Sequence, residues 1–382
     1  MNNPKIYIHT ATRSPIGKFG GQFRKMSAVD LASKTLTSCF NNSPVDNPDF
    51  IFLGHARQAG CGPNPARQAA IKAGISEKVP AMTINHACAS GISSVIAGIE
   101  KICSGNANHV FAGGVESMSN TPYLIKNARW GSKLGNQKLQ DGMYEDGFFC
   151  QLAKDTMGSL VEKFLVKKYS ISRNEQDEYA YNSQQKFKKA IEENKIQQEY
   201  LSSEFENIDD ECPRTVSTIE KLNKLQPVFD KNGTITAGNS SAIADGSAWI
   251  DLSSSKNQGC LAEIIDFETT SLDPNFFGIG PVQSCKNLMK RNSLAWTDIK
   301  VLELNEAFAA QAIACQKELG FPETILNPLG GAISIGHPIG ATGTRILVSL
   351  THQLQNFPGG YGIASLCVSG GQGVSMLLKS MN

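Results

Sequence analysis

Asn85-His86-Ala87-Cys88-Ala89-Ser90-Gly91 is the stretch on which the reading of this chain turns. The apolar run Met82-Thr83-Ile84 leads into it, and a small-residue helical segment over 91–102 leads out of it toward a second apolar run at 109–112. Near the other end of the chain Ser334-Ile335-Gly336-His337-Pro338 precedes another small-residue segment, and Cys367 stands before Gly370-Gly371 much as Ala112 stands before Gly113-Gly114. Identity between the two regions is slight, but each sets a reactive residue at a strand-to-helix corner. Two similar units are therefore expected.

Outward from these corners the alternation of strand and helix continues. Residues 5–10 alternate into a strand, and 28–40 place Leu31, Leu36 and Phe40 on one helical side. Residues 49–54 form another apolar run, and 66–73 read as a helix after the turn-rich Gly60-Cys61-Gly62-Pro63-Asn64-Pro65. The style resumes at 261–266, 301–304 and 361–366. Strands alternating with helices predict an α/β protein with parallel sheets and crossover connections. Residues 119–236 differ: they are richer in Asn, Gln, Lys and Asp, with Trp130, Met143, Phe148, Phe149 and Met157 scattered among them, and they read as an insertion. Within it Ser172-Arg173-Asn174-Glu175 is a capping box that opens a helix to about Glu193, with Lys186, Lys188 and Lys189 on a solvated face. The expected organisation is an N-terminal unit over 1–118 completed by about 237–264, an inserted unit over 119–236, and a C-terminal unit over 265–382.

Composition narrows the function. A chain of 382 residues has room for two or three units at roughly 150 residues each. With 36 Lys plus Arg against 35 Asp plus Glu, no net field draws nucleic acid or an anionic membrane, so an anionic ligand must be held by local groups. No apolar run is long enough to span a bilayer, and residues 1–7 lack the marks of a secretory signal. Ten cysteines without a Cys-x-x-Cys pair argue against a zinc site or a disulfide framework. No metal and a cytoplasmic location are expected.

Four clusters can carry chemistry. Cys88 lies just before a helix start, where backbone amides favour a thiolate, although a buried structural thiol is the bland alternative. His337 is the histidine with the richest glycine surroundings, Gly330, Gly331, Gly336, Gly340 and Gly343, which let backbone and ligand approach closely; His86 merely precedes the Cys88 turn. Cys367 precedes Ser369-Gly370-Gly371, whose N–H groups can face an oxyanion. Asn305-Glu306 ends the run at 301–304 and begins a helical segment over 307–319, so Asn305 either orients a substrate carbonyl or caps the helix.

The Cys88 stretch, Asn305-Glu306-Ala307-Phe308-Ala309, Gly330-Gly331-Ala332-Ile333-Ser334-Ile335-Gly336-His337-Pro338-Ile339-Gly340 and Cys367-Val368-Ser369-Gly370-Gly371-Gln372-Gly373 together resemble the signature blocks of the thiolases, in order and spacing along nearly the whole chain. Gly62-Pro63-Asn64-Pro65-Ala66-Arg67-Gln68, Gly114-Val115-Glu116-Ser117-Met118-Ser119 and Thr236-Ala237-Gly238-Asn239-Ser240-Ser241 add to the match. The resemblance implies a thiolase fold of two duplicated α/β domains in five layers (α-β-α-β-α), an inserted loop domain covering the active site, and assembly as a homodimer or homotetramer. It implies coenzyme A thioesters as substrates, acetyl-CoA and acetoacetyl-CoA or another 3-oxoacyl-CoA, with CoA as product and no metal or redox cofactor. By the same resemblance Cys88 is the nucleophile, His337 its base and Cys367 the second acid/base. The enolate oxygen falls to His337 and a water on Asn305, and the acyl oxygen to the N–H groups of Cys88 and Ser369. Coenzyme positions fall on Met157, Arg214, Leu225, Phe229, Ala237, Ser241, Ala307 and Phe308.

The chain departs from the family pattern in places. Ser369 replaces a usual glycine, Lys221 a serine, Thr156 a histidine and Phe277 a methionine, and the stretch from Met143 to Met157 is longer than in short-chain biosynthetic members. The reading is an acetyl-CoA C-acetyltransferase, with a broader 3-ketoacyl-CoA thiolase of fatty-acid metabolism as the alternative. A non-catalytic acyl-CoA or lipid carrier of the same fold is disfavoured because the catalytic positions are filled. A condensing enzyme acting on acyl carrier protein is disfavoured because Cys367 is a second cysteine.

Overall fold

Strand β1 (Ile6–Arg13) sits at the centre of a ten-stranded sheet, with one half of the molecule on either side of it. The computed structural model describes residues 4–131, 133–201, 205, 208–257 and 259–382. After β1 come α1 (Ala28–Asn41), β2 (Phe50–His55), α2 (Pro65–Lys72), β3 (Ala81–Ile84), α3 (Ser90–Cys103) and β4 (His109–Ser117). Past the long segment that holds α4 (Arg173–Glu192) come β5 (Ala244–Ser253), β6 (Ala262–Ser271), α5 (Gly280–Arg291), β7 (Ile299–Leu304), α6 (Ala309–Leu319), α7 (Ile339–Leu354), β8 (Tyr361–Val368) and β9 (Gln372–Ser380). The strand order is β7-β8-β9-β6-β1-β5-β4-β2-β3, with the short strand Gly17–Lys18 beside β5.

The expected duplication is visible in this order, for β2-β4-β5-β1 on one side is matched by β7-β8-β9-β6 on the other. Leu326 even bridges Leu302 of β7 in parallel, as β3 pairs with β2. The sheet is mixed, however, not parallel as the alternation predicted. Only β2/β3, β2/β4 and β7/β8 are parallel, and the other main pairs run antiparallel. For β8 and β9 the reason is local: the tight Ser369–Gly371 turn returns the chain as a hairpin, and a hairpin reverses direction.

Period-two alternation sorts the side chains into layers. Val110 and Ala112 of β4, Ile250 and Leu252 of β5, and Ala364 and Leu366 of β8 share one central core with Ile92 and Val95 of α3 and Ile346 and Leu350 of α7. The intervening Phe111 and Trp249 face outward onto α1 and α2, and Ile363 and Leu377 face α5 and α6. Helices α1 and α2, one half-sheet, α3 with α7, the second half-sheet, and α5 with α6 therefore make five layers. Trp249 is fully buried and its Nε1–H donates to the Ala32 carbonyl at 3.0 Å, which satisfies its polar atom inside the outer layer.

In the middle layer the helix starts press together. A Cβ on Gly91 would lie 2.7 Å from the Thr344 nitrogen, and one on Gly343 would lie 2.4 Å from the Ile92 nitrogen. Only glycine lets the first turns of α3 and α7 touch backbone to backbone. Elsewhere the charged helix α4 has its capping box, Ser172 with Glu175, and ends beside Glu193. Lys188 and Lys189 are exposed as expected, but Lys186 is not part of that solvated face, because its Nζ donates to the Leu326 carbonyl at 2.8 Å.

Gly343→Val should lower stability by at least about 2 kcal/mol through overpacking of this crossing. The drop is to be read as a lowered midpoint in urea denaturation, and it should exceed that of Gly359→Ala, at an open turn where only the left-handed backbone (φ +67°) costs about 1 kcal/mol.

Candidate active site

The two corners meet at the helix crossing. Cys88 follows Ala87, which has φ +46°, a left-handed conformation that a non-glycine residue adopts at a cost of about 1 kcal/mol. The turn is held by Asn85, whose Oδ1 accepts from the Ala87 N–H and whose Nδ2 donates to the Ala56 carbonyl, both at 3.0 Å. Helix α3 begins at Ser90 with no side-chain cap, so Cys88 stands just outside its first turn. The sulfur is deep, and burial pushes the thiol above its ordinary pKa. The helix start alone thus does not yield the thiolate that the sequence suggested. The backbone N–H of Ser369, the Arg57 guanidinium and the N–H of Cys88 itself pull in the opposite direction.

Cys88 and Ser369 line one cavity, and the backbone N–H groups of both favour the charged form of the sulfur. Ser369 manages this without glycine's freedom, because the left-handed residues of that turn are Gly370 (φ +89°) and Gly371 (φ +86°), not Ser369. Cys367 at the end of β8 is buried, and its thiol is pushed well above the ordinary range by burial first and then by Cys88 and Cys315.

His337 lies at the start of α7 and is nearly buried. Its Nδ1 is 2.6 Å from the Thr342 Oγ1, which in turn donates its proton to the Pro338 carbonyl at 2.9 Å. With that proton committed, the Thr342 oxygen can only accept, so Nδ1 carries the hydrogen and Nε2 keeps a lone pair. Burial, reinforced by Arg345 and Arg57 against the pull of Glu116, drives the imidazole pKa down to about 3. The group is a neutral base.

Asn305 is fully buried, and neither its Oδ1 nor its Nδ2 has a hydrogen-bond partner among the described residues. It does not cap a helix, since α6 begins only at Ala309 with Phe308 as its N-cap. A buried amide left open in this way is suited to a water or a substrate oxygen. Its neighbour Glu306 is locked by Tyr179 (3.1 Å), Ser183 (2.8 Å), Asn327 (2.8 Å) and the Ile333 N–H (3.1 Å), so two residues of α4 help to fix this corner.

The coenzyme positions fall in two groups. Met157, Phe229, Ala307 and Phe308 pack in the same cluster as Cys367 and Phe277, with the Phe229 and Phe308 rings 5.9 Å apart. Ser241 joins them, its N–H donating to the Ala307 carbonyl at 3.1 Å. Leu225, Ala237 and Arg214 lie at the exposed outer end, where the Arg214 Nη2 donates to the Ala237 carbonyl at 3.3 Å. Among the described residues no group of three or more His, Cys, Asp or Glu side chains could hold a metal ion.

Sequence reading missed several residues. His86 does more than precede the turn: its Nε2 donates to the Gln372 Oε1 at 2.6 Å and its Nδ1 accepts from Ser93 at 2.7 Å, tying the Cys88 corner to β9. Glu116 is buried and accepts from the backbone N–H groups of Ala56, Arg57 and Gly340 at 3.3, 3.1 and 2.9 Å. Burial alone would raise its pKa, but the nearby His55 and Arg57 hold it below the usual carboxylate range. Both residues stand inside matching motif blocks, which was the available signal, while their partners are remote in sequence.

A cysteine, a neutral imidazole and a second thiol at the seam of a duplicated α/β fold are the apparatus of an acyltransferase. Thiolase N-terminal and C-terminal domain families match residues 6–256 and 258–380. A probable acetyl-CoA acyltransferase of Staphylococcus epidermidis is 40% identical, with 98% of this chain and 98% of that protein covered. Among solved structures, human mitochondrial 3-ketoacyl-CoA thiolase in complex with CoA has a TM-score of 0.94 at 34% identity over 99% of this chain and 98% of its own. A Bacillus anthracis acetyl-CoA acetyltransferase has a TM-score of 0.94 at 37% identity, with 99% of each chain covered. The chain belongs to the thiolase family.

The depressed His337 pKa has a thermodynamic consequence. Between about 3 and 6.5 the unfolded chain binds a proton that the folded chain refuses, so this contribution is complete above pH 6.5 and is lost as the pH falls. From pH 6.5 to 5 the loss should be about 2 kcal/mol. His337→Asn should flatten that part of the slope, as measured by urea midpoints at pH 7 and pH 5.

Proposed function

We propose that this thiolase is an acetyl-CoA C-acetyltransferase, joining two acetyl-CoA into acetoacetyl-CoA and CoA and catalysing the reverse thiolysis. The observation that carries the reading is that Cys88 and Ser369 line one cavity, and that the neutral His337 imidazole shares the Arg57 and Glu116 surroundings of the Cys88 thiol. In that geometry His337 Nε2 takes the thiol proton, and the Cys88 sulfur attacks the thioester carbonyl of the first acetyl-CoA. Its oxygen, negative in the tetrahedral intermediate, is held by the two N–H groups until CoA leaves as the thiol, taking its proton from Cys367, which is left as the thiolate.

The acetyl-Cys88 thioester then meets a second acetyl-CoA. The Cys367 thiolate removes a methyl proton, and the enolate oxygen is held by His337, whose Nε2 still carries the proton taken from Cys88, and by a water on the open amide of Asn305. The enolate carbon attacks the acetyl carbonyl and the Cys88 sulfur departs. Thiolysis retraces the same steps. Met157, Phe229, Ala307, Phe308 and Ser241 take the inner pantetheine, and Leu225, Ala237 and Arg214 the outer nucleotide end. The segment over 119–236 serves as the loop domain that carries much of this contact. The chemistry uses CoA thioesters as substrates and calls on no metal or redox cofactor.

A second reading, a broader 3-ketoacyl-CoA thiolase, is favoured by the cavity beside Cys88. Its volume of about 250 Å³, walled by Phe149, Leu152 and Ile339, is more than an acetyl group needs. Assembly as a homodimer or homotetramer fits the exposure of Trp130 (81%) and Leu134 (99%) in the inserted segment, apolar surface that a partner copy would cover. Ten free thiols suit a reducing compartment, and we place the enzyme in the cytoplasm.

Incubation with acetyl-CoA should leave an acetyl adduct on the Cys88 peptide, detected by mass spectrometry, and Cys88→Ser should lower kcat by roughly three orders of magnitude or more. Absence of both effects would favour a carrier over an enzyme. Thiolysis of acetoacetyl-CoA should outpace that of a long-chain 3-oxoacyl-CoA; the opposite ranking selects the second reading.

A further inference from the structure

Arg57, in the loop after β2, is a buried cation that the thiolase chemistry above leaves unused. It is 3% exposed, yet its guanidinium makes one hydrogen bond among the described residues, from Nη2 to the Met143 carbonyl at 3.3 Å, while Nε and Nη1 have no partner. A buried charge with open donors is expensive unless something nearby uses it. The protein nonetheless builds a seat for it. The guanidinium lies 5.1 Å from the centre of the Phe148 ring, and a Cβ on Gly147 would fall 1.9 Å from Nη2, so that position admits only glycine while the guanidinium stays.

That seat adjoins the nucleophile. Cys88 packs in one small cluster with Ala56, Met143 and Phe148, and Arg57 and Cys88 line the same cavity. Asn85 ties the Ala56–Arg57 backbone to the Cys88 turn. The other groups facing the thiol are Glu116 from β4, Cys367 from β8 and the Ser369 N–H. Glu116 spends its oxygens on three backbone N–H groups, and Asp141 and Asp146 face Arg57 from the inserted segment. His337 is held neutral in the resting protein, so before it takes the Cys88 proton no imidazolium offsets a negative sulfur.

We propose that Arg57 is a positioning residue for Cys88, a fixed buried guanidinium that favours the thiolate in the role an imidazolium plays in other cysteine enzymes. The inference rests on Cys88 being the nucleophile. The competing role for Arg57 is a purely structural one, anchoring residues 143–148.

The test is the pH dependence of Cys88 alkylation by iodoacetamide in the full-length protein, followed on the Cys88 peptide by mass spectrometry. Arg57→Met and Arg57→Gln should raise the midpoint by about one pH unit or more, which is roughly tenfold slower alkylation at neutral pH. Arg57→Lys should restore most of the wild-type midpoint. An unmoved midpoint in folded neutral variants, with only KM or melting temperature changed, overturns the proposal in favour of the anchoring role. The wild-type protein gives a check that needs no variant: iodoacetate should be favoured over iodoacetamide at Cys88 relative to the same pair of rates on glutathione, and a ratio no greater than that of glutathione overturns it. Cys88→Ser separates this outcome from the function. Retained thiolase activity in that variant removes the proposed mechanism, whereas lost activity with an unmoved Arg57 midpoint removes only the role of Arg57.

Discussion

Backbone contact between the first turns of α3 and α7 is the constraint on which the rest depends. Gly91, Gly340 and Gly343 leave out the Cβ atoms that would hold the helices apart, and Gly114 on β4 does the same beneath them, where a Cβ would come within 2.4 Å of the Gly340 carbonyl. Because the helices cross at their starts, the residues just before them, Cys88 and His337, come to one place. The same closeness lets the Gly340 N–H reach Glu116, so an acid on one half-sheet is fixed by the helix of the other half. Packing of the middle layer and assembly of the site are a single event.

Burial follows from that packing, and it governs the electrostatics. It raises both thiols and lowers the imidazole, so these three groups are pushed toward their neutral forms, whereas His55 and Arg57 hold Glu116 in its charged form. Two kinds of fixed dipole face the centre of the site: the backbone N–H groups of Cys88 and Ser369, which pull the thiol's pKa down, and the Asn305 amide, which is open among the described residues. Such preorganisation is stored in the fold, which also explains why the surrounding shell is so heavily tied, with Glu306 accepting from four donors and His86 clamped between Ser93 and Gln372.

Much of this was legible in the chain itself. Strand and helix existence followed from periodicity, and the α4 capping box from local chemistry, because both are encoded within a few residues. The candidate residues stood out for different local reasons: glycines around His337 and after Cys367, a helix start after Cys88, and a strand end before Asn305. Strand direction was not: whether β9 returns antiparallel depends on how a three-residue turn closes, which the alternation of elements does not report. Lys186 was misjudged for a similar reason, since the carbonyl that takes its ammonium belongs to Leu326, far along the sequence. Arg57 was invisible as part of the site because a lone arginine in a loop has no pattern, and its meaning arises only when Met143, Gly147 and Phe148 close over it.

The join between the halves carries one more implication. Strands β1 and β6 pair antiparallel through Ile6 with Ile264, Tyr7 with Glu263 and Ile8 with Ala262, while α3 and α7 lean on each other across the same pseudo-twofold axis. That is the contact a symmetric dimer of one ancestral unit would make, with the same surface given by both partners. In such a dimer both corners must bear the same residue, and a pair of sulfurs or a pair of imidazoles is all that can be offered. Writing the two copies into one chain breaks that tie, so that one corner can carry the thiol of Cys88 and the other the imidazole of His337.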